Sequence, residues 1–250
     1  MHRFYLPPEE CKEGALVLSG GEAHHALHVL RLRLAERVTV LDGAGQQFLC
    51  EVETTERGRV RLKMLERKVH PVLPCQITLC QALPKGKIIE SIIQKATELG
   101  VSRIVPLLSE RVMADIDEKA ARDKLTKWQG VAVEAIKQCG APWLPQVCVP
   151  VTPAHFLAHP ERADLALVAS LQPGGRHPRE HFNAFRTKQG RSPKSIQIWI
   201  GPEGDFTAEE VGKIEAVGAF PITLGPRVLR TETAAIYCLS IVSYEMQSET

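Results

Sequence analysis

Two Gly-Pro pairs near the end of the chain have the spacing expected of loops that hold a ligand. Gly201-Pro202 follows an apolar run at 196–200, and Gly225-Pro226 follows a shorter run at 222–224. Glycine lets a ligand approach the backbone closely, while proline stiffens a turn at little cost in entropy. Loops at neighbouring strand ends meet at one edge of an open α/β sheet, where such sheets bind ligands. The pattern therefore predicts a pocket lined mainly by backbone atoms.

Charged residues beside these loops could bind an anion or move a proton. Arg227 and Arg230 bracket two apolar residues in the second loop, and Glu232 opens the apolar segment that follows. These groups could bind a polar or anionic partner, or they could form an Arg–Glu pair that only holds the loop, worth about 0–1 kcal/mol if exposed. Glu203 in the first loop would repel a triphosphate, and neither loop has the glycine order of a phosphate-binding or dinucleotide-binding loop.

The overall composition is that of an ordinary globular protein. The 250 residues carry a net charge of +2 and are 44% hydrophobic, so no strong global field attracts nucleic acid, although a local basic face is compatible with this total. We expect no membrane span and no signal peptide, because no apolar run approaches the required length. The seven cysteines include no Cys-x-x-Cys pair, which predicts reduced thiols and a cytoplasmic protein.

The elements that must position these loops fall into two predicted domains, at 1–72 and 73–250. In the first, strand-like runs separated by glycine-containing turns are predicted at 15–18, 37–41, 47–52 and 59–65, which together indicate a small barrel. Val60 and Leu62 alternate with basic residues, as in a strand with one wet, basic face. A helix predicted at 21–31 carries His24 and His28, whose spacing could suit a metal, but no third ligand is apparent and we predict no metal site.

After a proline-containing linker at 70–74, strands and helices alternate along the chain. Strands are predicted at 76–83, 103–108, 147–149, 164–171, 196–200 and 222–224. Helices are predicted at 85–99, 117–138 and 231–245, and a further one starts at the capping box Thr207-Ala-Glu-Glu210. The polar stretch 172–190 is predicted to be a loop that could include one short helix. Repeated alternation of this kind predicts a parallel sheet with helices on both faces.

Longer motifs run through nearly the whole chain in order. They are Leu224-Gly-Pro-Arg-Val-Leu-Arg-Thr-Glu-Thr-Ala234, Ile200-Gly-Pro-Glu-Gly204, Gln94-Lys-Ala-Thr-Glu-Leu-Gly-Val101, Ser109-Glu-Arg111, Gln138-Cys-Gly140, His25 with Val29-Leu-Arg31, and Asp42-Gly43. In these motifs, the first of them highly specific, the chain resembles the RsmE family. These are the 16S ribosomal RNA uracil-N3 methyltransferases of the SPOUT class.

The resemblance implies a particular fold, cofactor and substrate. It implies a PUA-like β-barrel that binds RNA, followed by a SPOUT α/β domain with a parallel sheet and a C-terminal trefoil knot. It implies a homodimer with no membrane partner, acting on 16S ribosomal RNA within the small ribosomal subunit. It also implies that S-adenosylmethionine is held mainly by backbone, at Leu171, Ile200, Gly201, Pro202, Gly204, Leu224, Gly225, Leu229 and Thr233.

The implied reaction assigns roles to charged residues. Uracil N3 carries a proton that must leave, so the enzyme needs a base and donors that stabilise the anionic uracil. Arg230 is the expected contact to RNA phosphate or to the uracil oxygens, and Glu232 or Glu203 is the expected base. The target uridine must also be turned outward. We expect phosphate contacts on an RNA surface formed by Arg3, His25, Arg31, Arg33, Lys85, Lys95 and Arg111.

A few residues depart from the family pattern. Asp205 stands where a second glycine is usual, Lys137 replaces an acidic residue, Ala141 replaces an arginine, and His28 occupies a position that often holds arginine. Two other functions therefore stay open: an RNA-binding assembly factor without catalysis, and a SPOUT methyltransferase that acts on transfer RNA. The N-terminal motifs disfavour the second. Binding of S-adenosylmethionine would separate the enzyme from the assembly factor.

Overall fold

The computed structural model describes residues 1–11, 14–56, 58–112, 117–158 and 162–247. The chain divides into two units. The first comprises Met1–Val72 with Val133–Leu144, and the second comprises Leu73–Ala132 with Pro145–Thr250. None of the helices in the described ranges is both long and apolar enough to cross a membrane.

The N-terminal unit is built on a five-stranded mixed sheet. Its strands lie in the order β1-β3-β4-β5-β2 and are β1 (Arg3–Tyr5), β2 (Ala15–Leu18), β3 (Arg37–Leu41), β4 (Gln46–Glu56) and β5 (Arg59–Val69). β1 runs parallel to β3, and the other neighbours are antiparallel. The four predicted strands are confirmed, and the sheet they form has β1 and β2 at its edges. β1 gives no sequence signal, because three residues are too few to show an alternation.

The two faces of β5 differ as the alternation predicts. Val60 and Leu62 are fully buried, and the basic side chains between and beside them are exposed. The neighbouring strand β4 adds acidic residues to the exposed face, where Arg61 donates from Nε to Glu53 Oε2 at 3.0 Å. The face is therefore charged but not uniformly basic.

The helix between β2 and β3 changes its winding. α1 (Gly20–His24) continues into a π-helical turn at His25–Val29, so the helix ends before residue 31. Arg31 follows with a φ of +54°, in the left-handed region that non-glycine residues seldom occupy. Both π-helical turns and left-handed residues are frequent at functional sites.

The segment Val133–Leu144, which includes the end of the longest helix, belongs to the N-terminal unit. Turn glycines make room for it. A Cβ at Gly45 would lie 2.4 Å from Trp143 Cζ2, and a Cβ at Gly43 would lie 2.8 Å from Leu144 Cβ. No local sequence pattern predicts these contacts, because they join distant parts of the chain.

The second unit is a six-stranded sheet in which every neighbouring pair is parallel, as predicted. The strands lie in the order β11-β9-β10-β6-β7-β8 and are β6 (Gln76–Ala82), β7 (Arg103–Leu107), β8 (Gln146–Val147), β9 (Leu165–Ala169), β10 (Ser195–Ile200) and β11 (Ala219–Ile222). Because the strands are parallel, their carboxyl ends share one edge of the sheet. β9, β10 and β11 are adjacent, so the loops that follow them meet.

In the described ranges, six helices accompany this sheet: α2 (Ile88–Glu98), α3 (Glu118–Cys139), α4 (Pro153–Ala158), α5 (Pro178–Gln189), α6 (Ala208–Ala216) and α7 (Thr231–Gln247). α2, within the helix predicted at 85–99, buries an apolar stripe that includes Ile89, Ile92 and Ile93. α6 begins with the predicted capping box, in which the Thr207 side chain accepts from Glu210 N–H and the Glu210 side chain accepts from Thr207 N–H. α4 carries no sequence signal of its own.

Two elements of the second unit differ from the prediction. The strand predicted at 222–224 is wrong, because β11 ends at Ile222 and residues 223 and 224 belong to the following loop. Pro221 obscures β11, and the strand tolerates it at the edge of the sheet. The stretch 172–190 contains α5, a helix of 12 residues whose buried residues are Pro178 and Phe182, too few for a clear period. Its proline start and the left-handed Gly190 at its end are the usual helix limits. Threading of the C-terminal chain into a trefoil knot stays a prediction.

Candidate functional site

Three loops at the carboxyl ends of β9, β10 and β11 enclose a cavity of about 450 Å³. The loop after β9 begins at Ser170, the loop after β10 at Gly201, and the loop after β11 at Thr223. This is the edge at which open parallel sheets bind ligands. Both Gly-Pro pairs of the sequence lie in its walls.

The loop after β10 is closed around Gly201. A Cβ at this position would lie 2.8 Å from Asp205 Oδ1 and 2.9 Å from the backbone nitrogen of Phe206, so only glycine fits. Glu203 Oε1 accepts from the backbone N–H of Lys85 at 2.9 Å. These contacts fix the loop on both sides before α6 begins.

Asp205 joins this loop to the loop after β9. Its Oδ2 accepts from Leu171 N–H at 2.8 Å and from the Ser170 hydroxyl at 3.2 Å, while Oδ1 accepts from Phe206 N–H at 2.8 Å. Its φ of +61° is left-handed, a conformation that aspartate tolerates better than most residues. The departure from glycine therefore has a structural role, which is to fasten two walls of the cavity together.

The loop after β9 also packs directly on β11. A Cβ at Gly175 would lie 2.8 Å from the carbonyl carbon of Ile222 and 3.0 Å from the nitrogen of Thr223. Arg176 exchanges backbone hydrogen bonds there, donating to Pro221 O at 3.2 Å and accepting from Thr223 N–H at 3.0 Å. The Pro-Gly-Gly turn in the sequence is thus the third wall of the cavity, which the sequence analysis did not assign.

The start of α7 is tied to the first Gly-Pro loop. The Thr231 hydroxyl, which is buried, donates to Gly201 O at 2.7 Å and accepts from Gln81 Nε2 at 3.0 Å. Gly225 in the loop between β11 and α7 has a φ of +104°, which only glycine adopts readily. The cavity therefore has walls of fixed backbone on all three loops.

Most of the predicted cofactor residues line this cavity: Leu171, Ile200, Gly201, Pro202, Leu224, Gly225 and Leu229. Gly204 and Thr233 do not. The carbonyl of Gly204 accepts from Arg111 Nη1 instead, and Thr233 is exposed on α7. Lining residues that the sequence analysis missed include Ser170, Pro173, Gly174, Gly175, Asp205, Arg227 and Thr231.

The structure places one of the predicted catalytic residues in the cavity lining and the other two outside it. Glu203 lines the cavity and is exposed, whereas Arg230 and Glu232 do not line it. Arg227, which the sequence suggested only as a possible contact to a polar or anionic partner, lines it as an exposed side chain. With the described residues, Arg227, Arg230 and Glu232 form no ion pair, so the alternative of an Arg–Glu pair holding the loop is not what the structure contains.

The predicted RNA contacts of the second unit have different surroundings. The Lys85 side chain is exposed next to the loop after β10, where its N–H meets Glu203. Arg111 binds the backbone of the same loop. Lys95 lies on α2 and pairs with Glu98 at 3.2 Å. Lys85 and Arg111 are therefore close to the cavity rim, whereas Lys95 has an intramolecular partner.

The predicted RNA contacts of the N-terminal unit are partly engaged within the unit. Arg3 Nη1 donates to two backbone carbonyls near the C-terminal end of α3, at 3.2 and 2.8 Å, as cations commonly do at helix ends. The His25 ring lies edge-on to Phe4, with ring centroids 6.3 Å apart. Arg31 and Arg33 have exposed side chains.

A second cavity of about 450 Å³ lies within the N-terminal unit and is lined in part by His25 and Lys137. Lys137 is buried, and its Nζ binds Glu22 Oε1 at 2.7 Å and Glu134 Oε1 at 2.8 Å. Burial alone would lower the pKa of Lys137, but the hydrogen bonds to Glu134 and Glu22 outweigh it and raise that pKa. Lys137, which replaces an acidic residue of the family pattern, therefore forms an internal ion pair. Nothing in the structure explains Ala141.

The main cavity offers backbone amides and carbonyls, an apolar floor and few charged groups. Among the residues of the described ranges, no group of three or more His, Cys, Asp or Glu is arranged to hold a metal ion. A ligand of cofactor size with polar edges suits such a cavity, since sites of this kind are mostly apolar with a few placed polar groups.

Comparison with known proteins covers nearly the whole chain. Residues 71–243 match the family model of an RNA methyltransferase domain, and residues 18–65 match that of an RNA methyltransferase PUA domain. The chain is 33% identical over 250 residues to ribosomal RNA small subunit methyltransferase E of Synechocystis sp., covering 99% of this chain and 78% of that protein.

Solved structures agree with this comparison. The Neisseria gonorrhoeae ribosomal RNA small subunit methyltransferase E, bound to S-adenosylmethionine, is 28% identical with a TM-score of 0.83, covering 98% of this chain and 97% of that one. A Legionella pneumophila protein solved in complex with the same cofactor is 32% identical with a TM-score of 0.85, covering 97% and 96%. The likeness includes both units of the fold.

Proposed function

Because the chain belongs to the ribosomal RNA small subunit methyltransferase E family of RNA methyltransferases, we propose that it methylates N3 of one uridine in 16S ribosomal RNA. The methyl donor is S-adenosylmethionine, the cofactor bound by the Neisseria gonorrhoeae protein. One observation carries the proposal: the cavity of about 450 Å³ that three loops form at the ends of β9, β10 and β11.

The cavity fits this cofactor. Gly201 and Gly175 let the loops pack closely against one another, because a Cβ at either position would clash with protein atoms, and the loops offer backbone N–H and C=O groups for a polar, flexible ligand. Leu224 and Leu229 supply apolar lining. When bound, S-adenosylmethionine supplies a methyl group activated by a sulfonium. The chain's part is to hold the ligand, exclude water and handle the proton of uracil N3.

Glu203 is the better of the two predicted bases. It lines the cavity, and Lys85 N–H holds its Oε1, which orients the carboxylate and leaves Oε2 to accept a proton. Glu232 lies outside the cavity lining, in the first turn of α7. We therefore assign removal of the N3 proton to Glu203, and a structural role to Glu232 near the positive end of a helix.

The cations at the rim hold the RNA. Arg227 lines the cavity and Arg230 is exposed a few residues further on, and neither has an ionic partner among the described residues. Lys85 and Arg111, in the segments after β6 and β7, contact the loop after β10. Charges placed in this way can bind phosphates on both sides of an outward-turned uridine, and Arg227 can also stabilise the uracil anion. In the N-terminal unit, Arg31 and Arg33 are the exposed candidates for further phosphate contacts.

The active form is proposed to be a homodimer in the cytoplasm. Tyr237 and Tyr244 lie seven residues apart on one face of α7 and are 46% and 64% exposed, and Val228, in the loop before α7, is 75% exposed. A second copy would cover this apolar face. The seven cysteines, all of which lie in the described ranges, form no disulfide, which suits a reducing compartment.

Sedimentation tests the dimer. The wild type should sediment at twice the chain mass of 27.7 kDa, and Tyr237→Glu with Tyr244→Glu should give the monomer. Phe220→Glu, at an exposed apolar residue on β11, is the matched control and should remain dimeric. A monomeric wild type would contradict the dimer.

A methyl-transfer assay tests the reaction. Small ribosomal subunits lacking the modification, free 16S ribosomal RNA and transfer RNA are each incubated with the protein and labelled S-adenosylmethionine, then digested to nucleosides. The label should appear as 3-methyluridine in the digest of the small subunits, in an amount about equimolar to the subunits. Label in transfer RNA would favour the other methyltransferase class, and no binding of the donor would favour a non-catalytic assembly factor.

A further inference from the structure

Asp205 differs from the other charged residues that line the main cavity. It is 9% exposed, whereas Glu203 and Arg227 are exposed to solvent. Charges in contact with water are largely screened, and a charge held in a poorly hydrated wall acts more strongly on a bound ligand. The electrostatic character of the cavity wall is therefore set mainly by Asp205.

The carboxylate of Asp205 is fixed in place. Both oxygens accept hydrogen bonds from N–H or O–H donors, which come from Leu171, Ser170 and Phe206. This donor set suits an ionised carboxylate, which only accepts. Gly201 leaves the space that the group occupies, since a Cβ there would lie 2.8 Å from Oδ1. The negative charge thus cannot swing out into solvent when a ligand enters.

The ligand in this cavity changes charge during the reaction proposed above. The methyl group moves from the sulfonium sulfur to uracil N3, the C–S bond breaks with its electron pair left on sulfur, and the N3 proton leaves to a base. The cavity then holds S-adenosylhomocysteine, a neutral thioether of almost the same shape. Contacts from backbone and apolar groups hold the two forms similarly, and only a charge in the wall distinguishes them strongly.

On the premise of that proposed function, we propose that Asp205 makes the cavity discriminate by charge, so that it holds the cationic methyl donor more tightly than the neutral product. The residue is specificity-determining as well as a fastening between two loops.

Calorimetry on the full chain separates these two roles. S-adenosylmethionine and S-adenosylhomocysteine are titrated separately into the wild type, Asp205→Asn and Ser170→Ala. Asparagine keeps the size and tolerates the left-handed backbone, but it removes the charge. Its preference for the donor over the product should fall by about tenfold, as expected for loss of one charge acting through a partly hydrated wall. Ser170→Ala removes one hydrogen bond to the carboxylate and keeps the charge, so both affinities should change by the same factor.

An unchanged ratio of the two affinities in Asp205→Asn, including a parallel loss of both, would overturn the proposal. If Asp205→Asn does not fold, as judged by circular dichroism, the ratio is measured on Asp205→Gly, which is compatible with the same backbone. A wild type that binds neither ligand would instead contradict the proposed function, so the two failures are distinct. Product inhibition in the methyl-transfer assay should also become stronger in Asp205→Asn.

Discussion

The two units of the fold use glycine for opposite purposes. In the N-terminal unit, Gly45 and Gly43 create space that the protein fills with its own side chains, Trp143 and Leu144. In the second unit, Gly201 and Gly175 let loops close on one another around a cavity that stays open. A glycine that avoids a clash is thus a packing residue in one unit and part of a ligand site in the other.

The cations show the same contrast. Arg3 in the N-terminal unit directs its guanidinium to carbonyls at the end of α3. Arg227 and Arg230 in the second unit are exposed and have no ionic partner in the part of the chain that is described. Groups whose bonding capacity is used inside the protein stabilise it, and groups left without partners are available to RNA. This difference makes separable predictions about stability and activity.

The largest effect is expected from Gly201→Ala. The new methyl group would clash with the backbone nitrogen of Phe206 at 2.9 Å, so the loop must open. Affinity for S-adenosylmethionine should fall by about a hundredfold or more, roughly the consequence of a few kcal/mol of misfit. Titration calorimetry with S-adenosylmethionine measures this affinity.

Gly212→Ala is the matched control for that change. Gly212 lies within α6, has open space around it and has no left-handed φ. Alanine there should leave the affinity unchanged and raise the melting temperature, since alanine favours helix over glycine by about 1 kcal/mol. If the two variants bind S-adenosylmethionine with equal affinity, the close packing of the loop at Gly201 is not needed for binding.

Gly45→Ala sharpens the comparison from the N-terminal side. Its Cβ would lie 2.4 Å from the Trp143 ring, and its φ is +93°. Gly14 has the same φ of +93° with no atom within 4 Å, so Gly14→Ala suffers only the backbone strain. Gly45→Ala should reduce the free energy of unfolding by about 1–3 kcal/mol more than Gly14→Ala does. Chemical denaturation checks this, and equal losses would mean that Trp143 moves aside at no cost.

Arg230→Ala and Arg3→Ala form the next pair. Arg230→Ala should lower methyl transfer to small subunits about tenfold, with little change in stability or in affinity for S-adenosylmethionine, because a lost phosphate contact costs on the order of 1–2 kcal/mol. Arg3→Ala should lower the free energy of unfolding by about 1–2 kcal/mol and leave activity within about twofold. The reverse assignment, with Arg3 needed for activity and Arg230 for stability, would break the comparison.

The smallest effect is expected at the opposite edge of the sheet, where β9 and β10 begin. Hydrogen bonds from Arg191 lower the pKa of Asp164 to about 2, against the opposing effect of burial. The native pKa lies below the unfolded value of about 3.9, so this pair contributes stability above about pH 4 and loses it as the pH falls towards about 2. Its contribution is at most about 1 kcal/mol, because the pair is partly exposed.

Asp164→Asn tests that pair by denaturation at several pH values. The variant should lose stability near neutral pH and show a flatter dependence between about pH 4 and 2, with unchanged affinity for S-adenosylmethionine. A pH dependence equal to that of the wild type would remove this pair from the account.

Local patterns in the sequence were sufficient for the elements that carry periodicity or caps. The stripe on α2 and the capping box at Thr207 are encoded by residues within a few positions of each other, and the parallel sheet follows from the alternation of strands and helices along the chain. The cavity walls at Gly201 and Gly225 were predictable for the same reason, since each Gly-Pro pair directly follows a strand or nearly so. β11 was displaced because Pro221 hides its strand character.

Long-range contacts could not be predicted in this way. The sequence gives no sign that Asp205 meets Leu171, or that Arg3 meets the end of α3, because each pair is separated by other elements. The RNA contacts are the least predictable part of the site for this reason. The sequence alone does not distinguish a basic residue that pairs internally, as Lys95 does with Glu98, from one that faces solvent, as Lys85 does.

The central claim is that this cavity holds the methyl donor for one uridine of 16S ribosomal RNA. Mass spectrometry of ribosomal RNA from a strain lacking the protein tests it most directly. The account predicts loss of a single 3-methyluridine from 16S ribosomal RNA, restored by the wild-type gene and not by the gene carrying Gly201→Ala. An unchanged set of methylated nucleotides in the deletion strain, or full restoration by Gly201→Ala, would contradict it.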